Sequence, residues 1–259
     1  MSSSGLSILL VEDSDLLAGS TSRELEREYG HDVTWLRDPT LMTAKLSEQR
    51  FDVAIVDVLY EHLNREFDAR RLAGQVKIRG EQLLITGLTA IHILGQQLPA
   101  IGTVVWTIGE ANRRLHLLYA YENLETRNYC SKSPGTGDFG TLEYAARIAP
   151  TQQQYVDPVL NPYLPVTRAR RATDILLKDE CKRAIWRAMA VGAAGRTDIA
   201  RIARYSDRTV GNRMPEMYQD LLEFDPGLPP SRAPQIEVAR YAASNWQFFL
   251  DEAVRSMYP

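Results

Sequence analysis

Four apolar runs, each stopping at a polar residue, constrain this chain more than any other feature. Ser7-Ile8-Leu9-Leu10-Val11 meets Glu12-Asp13, and Phe51-Asp52-Val53-Ala54-Ile55-Val56 meets Asp57. Ile101-Gly102-Thr103-Val104-Val105-Trp106 meets Thr107, and Arg127-Asn128-Tyr129-Cys130-Ser131 meets Lys132. Read as strands with helical stretches between them, these runs imply βαβ units, right-handed crossovers and an open parallel sheet. In such a sheet the strand ends meet on one edge, where ligands bind. Glu12, Asp13, Asp57, Thr107 and Lys132 would then share one pocket. Gathered carboxylates repel one another unless a cation neutralises them, and hard oxygen ligands suit Mg2+. The lysine and the hydroxyl stand where a transferred phosphoryl group would need a cation and a donor.

The pattern predicts strands at 6–11, 32–36, 51–57, 101–107 and 127–131. Ser14 or Asp15 can cap a helix over 15–29, and Pro39 opens one over 40–49. Further helices are expected at 83–98 and 110–124. Residues 58–80 break the rhythm. They are rich in charge and poor in apolar periodicity, and predict a long mobile loop or a short extra helix. Residues 133–149 carry glycines and Pro134, then a short apolar helix ending at Pro150. Residues 150–166, rich in Pro and Gln, read as a linker. No strand pattern follows; helices are expected at about 173–192, 197–204, 207–222 and 234–256.

With 44% hydrophobic and 24% charged residues, the 259-residue chain has the composition of a globular protein with enough apolar material for a core. Cys130 and Cys181 form no motif, which suggests reduced thiols in the cytoplasm. Met1 to Gly5 are polar and predict a frayed start. The absence of a signal peptide and of any run of 18 apolar residues argues against secretion and membrane spanning. Net charge is −3 but unevenly spread: residues 166–215 hold twelve Lys and Arg against five acidic residues, a local +7, which leaves −10 for the remainder. That asymmetry fits either a nucleic-acid partner for the later segment or a solvated basic surface.

Taken singly, Asp57 could cap the loop after its strand, Thr107 the helix before Glu110, and Lys132 could be solvated. Their order is what those readings leave unexplained. Taken together, residues 6–132 resemble the receiver domain of two-component response regulators. Glu12-Asp13 match the acidic pair, Asp57 the phosphoacceptor, Thr107 the hydroxyl residue, Lys132 the lysine, and Tyr129 the aromatic switch position. The resemblance implies that Asp57 is the nucleophile that takes a phosphoryl group from a sensor histidine kinase. It also implies Mg2+ at Asp13, Asp57 and the Leu59 carbonyl, with Glu12 acting through water. Lys132 and Thr107 would contact the phosphoryl oxygens, and Tyr129 would rotate inward behind Thr107. Three departures stand out. The interval from Asp57 to Thr107 is long for the family, Leu59-Tyr60 replaces its usual Met-Pro pair, and Ser133 separates Lys132 from Pro134.

Residues 178–222 resemble the LuxR/NarL-type helix-turn-helix output domain, through Arg183-Ala184-Ile185-Trp186, Met189-Ala190, Gly192, Asp198-Ile199-Ala200 and Ser206-Asp207-Arg208-Thr209-Val210 with Asn212. That likeness implies that Ser206 caps the recognition helix, that Thr209 and Val210 pack or touch backbone, and that Arg208, Gly211, Asn212 and Arg213 face the major groove. Arg196, Arg201 and Arg204 would reach flanking phosphates. Pro215 should kink or end that helix. The apolar 234–259 extension, outside the usual module, would either pack on the output core or form a dimer surface.

The expected fold is α/β: a doubly wound, five-stranded parallel sheet of the flavodoxin-like receiver type, plus an all-α helix-turn-helix domain. The expected division is 1–149 for the receiver with an enlarged 58–80 loop, 150–170 for the linker, and 171–259 for the output domain. The expected function is a cytoplasmic, homodimeric transcription regulator that binds DNA and uses Mg2+, with no membrane partner and no enzymatic turnover. A signalling adaptor whose helices bind a protein, and a phosphorylation-independent regulator, are the alternatives. A metal-dependent phosphatase would need a second acid near the nucleophile, where Val58-Leu59 stands.

Overall fold

A computed structural model of the chain describes residues 5–76, 84–132, 139–151, 153–164, 170–228 and 230–259. In chain order the elements begin with β1 (Ser7–Val11), α1 (Asp15–Tyr29), β2 (Asp32–Leu36), α2 (Met42–Glu48), β3 (Val53–Val56), α3 (Arg65–Leu72) and α4 (Gly87–Gln97). There follow β4 (Gly102–Thr107), α5 (Arg114–Glu122), β5 (Asn128–Ser131), α6 (Gly140–Ile148) and β6 (Tyr155–Val156). The remainder is helical: α7 (Ala172–Leu176), α8 (Glu180–Ala190), α9 (Arg196–Ala203), α10 (Asp207–Phe224), α11 (Pro234–Ser244), α12 (Trp246–Leu250) and α13 (Glu252–Met257). The chain divides into two compact units, residues 1–64 with 85–166, and residues 65–84 with 167–259.

The first unit is built on a wholly parallel sheet in the order β2-β1-β3-β4-β5-β6. Ile8, Leu10, Val53, Ile55, Val104, Trp106 and Cys130 form one cluster with Ala18 and Leu25 of α1 and Leu142, Ala145 and Ala146 of α6. Helix α1 starts where Ser14 Oγ accepts from Leu17 N at 3.4 Å and stops at Gly30, whose φ of 69° suits glycine. Register carries every strand to the same edge: Val11 pairs with Val56, Val56 with Val105, and Thr107 with Ser131. Asp57 N donates to Val11 O at 3.0 Å and Lys132 N to Thr107 O at 2.8 Å, so the ladder continues one residue past β3 and β5.

The sheet has six strands where five were expected. The sixth lies in the stretch expected to be a linker. Tyr155 and Val156 pair with Asn128 and Tyr129, Tyr155 N donates to Asn128 Oδ1 at 3.0 Å, and Asp157 N to Tyr129 O at 2.8 Å. A 3-10 helix over Pro158–Tyr163 follows, and the Tyr163 hydroxyl donates to Gly109 O at 3.0 Å. Two strand residues amid proline and glutamine are too few to raise a period-two signal.

The second unit is all-α. Trp186 of α8 is fully buried, stacked on Phe249 at 4.9 Å and edge-on to Tyr241 at 5.9 Å. The 234–259 extension therefore closes this unit's own core, with Val238, Ala242, Phe248 and Phe249 buried. The helix expected over 173–192 breaks at Asp179, whose Oδ1 accepts from Lys182 N at 2.9 Å to start α8. The one expected over 234–256 breaks at Asn245 and Asp251, the latter capping α13.

The 58–80 loop, expected within the receiver, is divided between the units. Residues 58–64 stay with the sheet, whereas α3 belongs to the helical unit. Phe67 stacks on Trp246 at 5.8 Å, the Arg71 guanidinium lies 4.5 Å over the same ring, and Glu252 N donates to Leu84 O at 3.0 Å. Ring and cation contacts hold α3, so apolar periodicity could not show where it belongs. Helix α4, expected from residue 83, begins later because Thr86 caps it. The expectations for residues 1–4, the 77–83 part of the insert, Ser133-Pro134 and 165–169 fall outside the described residues.

Candidate functional site

Glu12, Asp13, Asp57, Thr107 and Lys132 converge at the carboxyl edge of the sheet, and the first four are buried. One carboxylate oxygen from each of Glu12, Asp13 and Asp57 lies within 4.8 Å of the others. Lys132 Nζ bridges two of the acids, 2.5 Å from Glu12 Oε2 and 2.7 Å from Asp57 Oδ2, and lies 4.8 Å over the Trp106 ring. Glu12 is fixed further by Ser14 N donating to Oε1 at 3.0 Å and by Trp35 Nε1 donating to its carbonyl at 2.8 Å. Burial pushes the Glu12 carboxyl above the usual carboxylate range; Lys132 opposes that and Asp57 adds to it. A buried set of hard oxygens this close fits a small divalent cation such as Mg2+.

The loop after β3 closes over the acids. Asp13 Oδ2 accepts from His62 N at 2.6 Å and from Leu63 N at 3.1 Å. Asp57 Oδ1 accepts from Val58 N at 2.6 Å. Gly87 makes this closure possible. Its N donates to Val58 O at 2.9 Å, and a Cβ there would fall 2.0 Å from the Asp57 carbonyl oxygen. Only glycine lets α4 come this close to the Asp57 backbone.

Arg113 is the residue that sequence reasoning missed. Its side chain is only 4% exposed; Nη1 donates to Thr107 Oγ1 at 3.2 Å and lies 3.6 Å from Asp57 Oδ1. On the outer side Nη2 pairs with Glu61 at 3.2 Å and Nε with Glu110 at 3.5 Å. Arg113 ends a short 3-10 turn over Ala111–Arg113, so the helix expected over 110–124 begins as an α-helix only at Arg114. In sequence nothing distinguishes it from its neighbour Arg114. Tyr129 is fully buried, its hydroxyl 3.4 Å from the Leu117 carbonyl and 3.3 Å from that of Thr126.

In the helical unit α9 and α10 form a helix–turn–helix pair. Arg204 closes α9 in the left-handed region at φ 64°, and Ser206 Oγ accepts from Thr209 N at 3.0 Å to cap α10. Along α10 Val210, Met214, Met217, Tyr218, Leu221 and Phe224 are buried, while Arg208 and Asn212 are exposed. Thr209 is half-buried against Ser206, its hydroxyl 2.8 Å from Ser206 Oγ. Arg213 is engaged by Glu216 at 2.7 Å and Asp179 at 3.7 Å, and Arg201 by Asp198 at 3.2 Å. Gly211 lies beneath Arg196, which a Cβ would meet at 3.4 Å. Helix α10 does not end at Pro215, but runs on to Phe224. A proline inside a helix costs about 3 kcal/mol. The four side chains buried beyond it contribute roughly 1.5–3 kcal/mol each, so burial wins.

Neither the protein-family models nor the curated proteins include a match to this sequence. Solved structures do resemble the fold. RcsB from Salmonella enterica serovar Typhimurium, bound to a promoter in the presence of the phosphomimetic BeF3-, superposes with a TM-score of 0.56 at 16% identity, over 93% of this chain and 98% of that one. The two-component response regulator RcsB in complex with DNA gives 0.55 at 16% identity with the same coverage. A structure of two RcsB dimers bound to two parallel DNAs gives 0.52 at 16% identity, again over 93% and 98%. The chain has the fold of a receiver–helix-turn-helix response regulator. The likeness is one of fold, and at 93% coverage of this chain it extends across both units. Among the described residues no helix is long and apolar enough to cross a membrane.

Proposed function

We propose that this response-regulator fold works as a phosphorylation-responsive DNA-binding transcription regulator with Asp57 as phosphoacceptor. The observation that carries the reading is Asp57 itself: a buried carboxylate with Lys132 at 2.7 Å, inside a three-acid cluster at the sheet edge. Mg2+ would be held by Glu12, Asp13 and Asp57, and when bound supplies the positive charge that lets an anionic nucleophile meet an anionic phosphoryl group. An Asp57 oxygen attacks phosphorus as the P–N bond of a kinase phosphohistidine breaks. The bond's electron pair stays on the imidazole nitrogen, which takes up a proton. Lys132 pairs with a phosphoryl oxygen in the product, and the Thr107 hydroxyl donates to another.

On the output side, the exposed Arg208 and Asn212 on the first turns of α10 support groove contact, with Thr209 beside the cap. Arg213 and Arg201 would exchange their carboxylate partners for DNA, and a homodimer would present two such helices. These partners, DNA and a sensor histidine kinase, and a cytoplasmic setting follow from the same reading.

Incubation of the full chain with Mg2+ and a small acyl phosphate, followed by intact mass measurement, tests the acceptor. The wild type is expected to gain one phosphoryl group, removable by hydroxylamine. D57N is expected to gain none while staying folded, because Glu12 still pairs with Lys132, and Glu61 and Glu110 with Arg113. Equal uptake by D57N would exclude Asp57 as the acceptor.

A further inference from the structure

We infer that Arg113 is a phosphoryl-binding residue of this receiver, a second cation that takes hold of the group attached to Asp57. The inference rests on the proposed phosphoacceptor role of Asp57 and adds a residue to it. Arg113 Nη1 stands over the two atoms that a phosphoryl group would bridge: the Asp57 Oδ1 oxygen at 3.6 Å and the Thr107 hydroxyl at 3.2 Å. Lys132 approaches the other Asp57 oxygen at 2.7 Å, so the carboxylate is flanked by a cation at each oxygen.

Burial makes the arrangement an anion receptor and not a surface ion pair. The guanidinium is already out of water at 4% exposure, so binding an anion adds no further desolvation of the cation. Glu61 and Glu110, 67% and 49% exposed, hold it from the solvent side and aim it inward. Its five donors exceed the three hydrogen-bond acceptors it meets among the described residues, Thr107 Oγ1, Glu61 and Glu110, and its planar fork matches two phosphoryl oxygens. Phosphorylation converts one negative charge at Asp57 into about two. Attraction to Arg113 therefore rises at the inner end and not at Glu61, and the guanidinium shifts its hydrogen bonds onto the phosphoryl oxygens. Glu61 adjoins His62 and Leu63, whose N–H groups rest on Asp13, so this exchange reaches the loop that closes the site.

The test is calorimetric titration of the full chain with beryllofluoride in saturating Mg2+, for wild type, R113A and R113K, with circular dichroism to confirm folding. Loss of a charge-assisted contact predicts affinity for beryllofluoride roughly 10- to 100-fold weaker in R113A. R113K, which keeps the charge but not the fork, should fall between. Affinity in R113A equal to or tighter than wild type would overturn the inference and make Arg113 a plug over Asp57. If R113A fails to fold, R113K decides: wild-type affinity there overturns the inference. A wild type that binds no beryllofluoride would overturn the phosphoacceptor reading itself, an outcome distinct from the others.

Discussion

Replacing Trp186 with alanine is expected to unfold the helical unit at a temperature at least about 15 °C lower than in the wild type. The side chain is fully buried between Phe249 and Tyr241. Truncating a buried tryptophan costs about 3–5 kcal/mol, and each lost ring pair adds ~0.5–1.5 kcal/mol. For a unit near a hundred residues, each kcal/mol moves the midpoint by roughly 4–8 °C. W186F should cost far less. It keeps the stack and removes an indole N–H that is buried without a hydrogen-bond partner among the described residues. Calorimetric melting reads both. A shift under about 3 °C in W186A would mean that α8 and the 234–259 extension do not share a core.

The sheet unit is expected to lose stability as pH falls below about 6.5, with His116 as the main histidine cause. Burial, reinforced by the neighbouring Arg113 charge, pushes this imidazole down to about 3. Between about 6.5 and 3 the unfolded chain binds a proton at His116 that the folded chain does not. Stability attributable to this group is therefore full above pH 6.5 and falls by about 1.4 kcal/mol per pH unit beneath it. By pH 5 the loss is about 2 kcal/mol. H116L, of similar size and uncharged, should flatten that part of the profile. Denaturant unfolding at pH 7.5 and pH 5 checks it, and an unchanged pH dependence in H116L would refute the assignment.

Much of this was legible in the order of the residues because strand ends are set by chemistry that sequence displays. The runs before Asp13, Asp57, Thr107 and Lys132 fold as β1, β3, β4 and β5, and helix α1 occupies the expected 15–29. What escaped was decided by partners distant in sequence. Tyr155 and Val156 become a strand only because β5 offers an open edge. The charged insert and the apolar extension, two departures from the family pattern, account for each other. Trp246 of the extension receives Phe67 and Arg71 of the insert, and Leu84 bridges to Asp251. Arg113 escaped because an arginine beside another arginine ahead of an apolar helix looks like solvated surface. Its burial depends on Asp57 and Glu61 arriving from elsewhere in the sheet unit. Pro215 misled in the opposite direction over where the helix ends, since local geometry allowed a stop there and the packing of Met217, Leu221 and Phe224 carries the helix on.

The most direct measurement is selection of genomic DNA fragments by the purified full chain, with and without Mg2+ and beryllofluoride. A phosphorylation-responsive regulator predicts specific enrichment that rises with the mimic and falls steeply with salt, as Arg208, Arg201 and their neighbours release counterions from the phosphates. Enrichment indifferent to the mimic would contradict the switch while leaving DNA binding in place. Absence of enrichment in both arms would contradict the account as a whole and assign α9 and α10 to a protein partner.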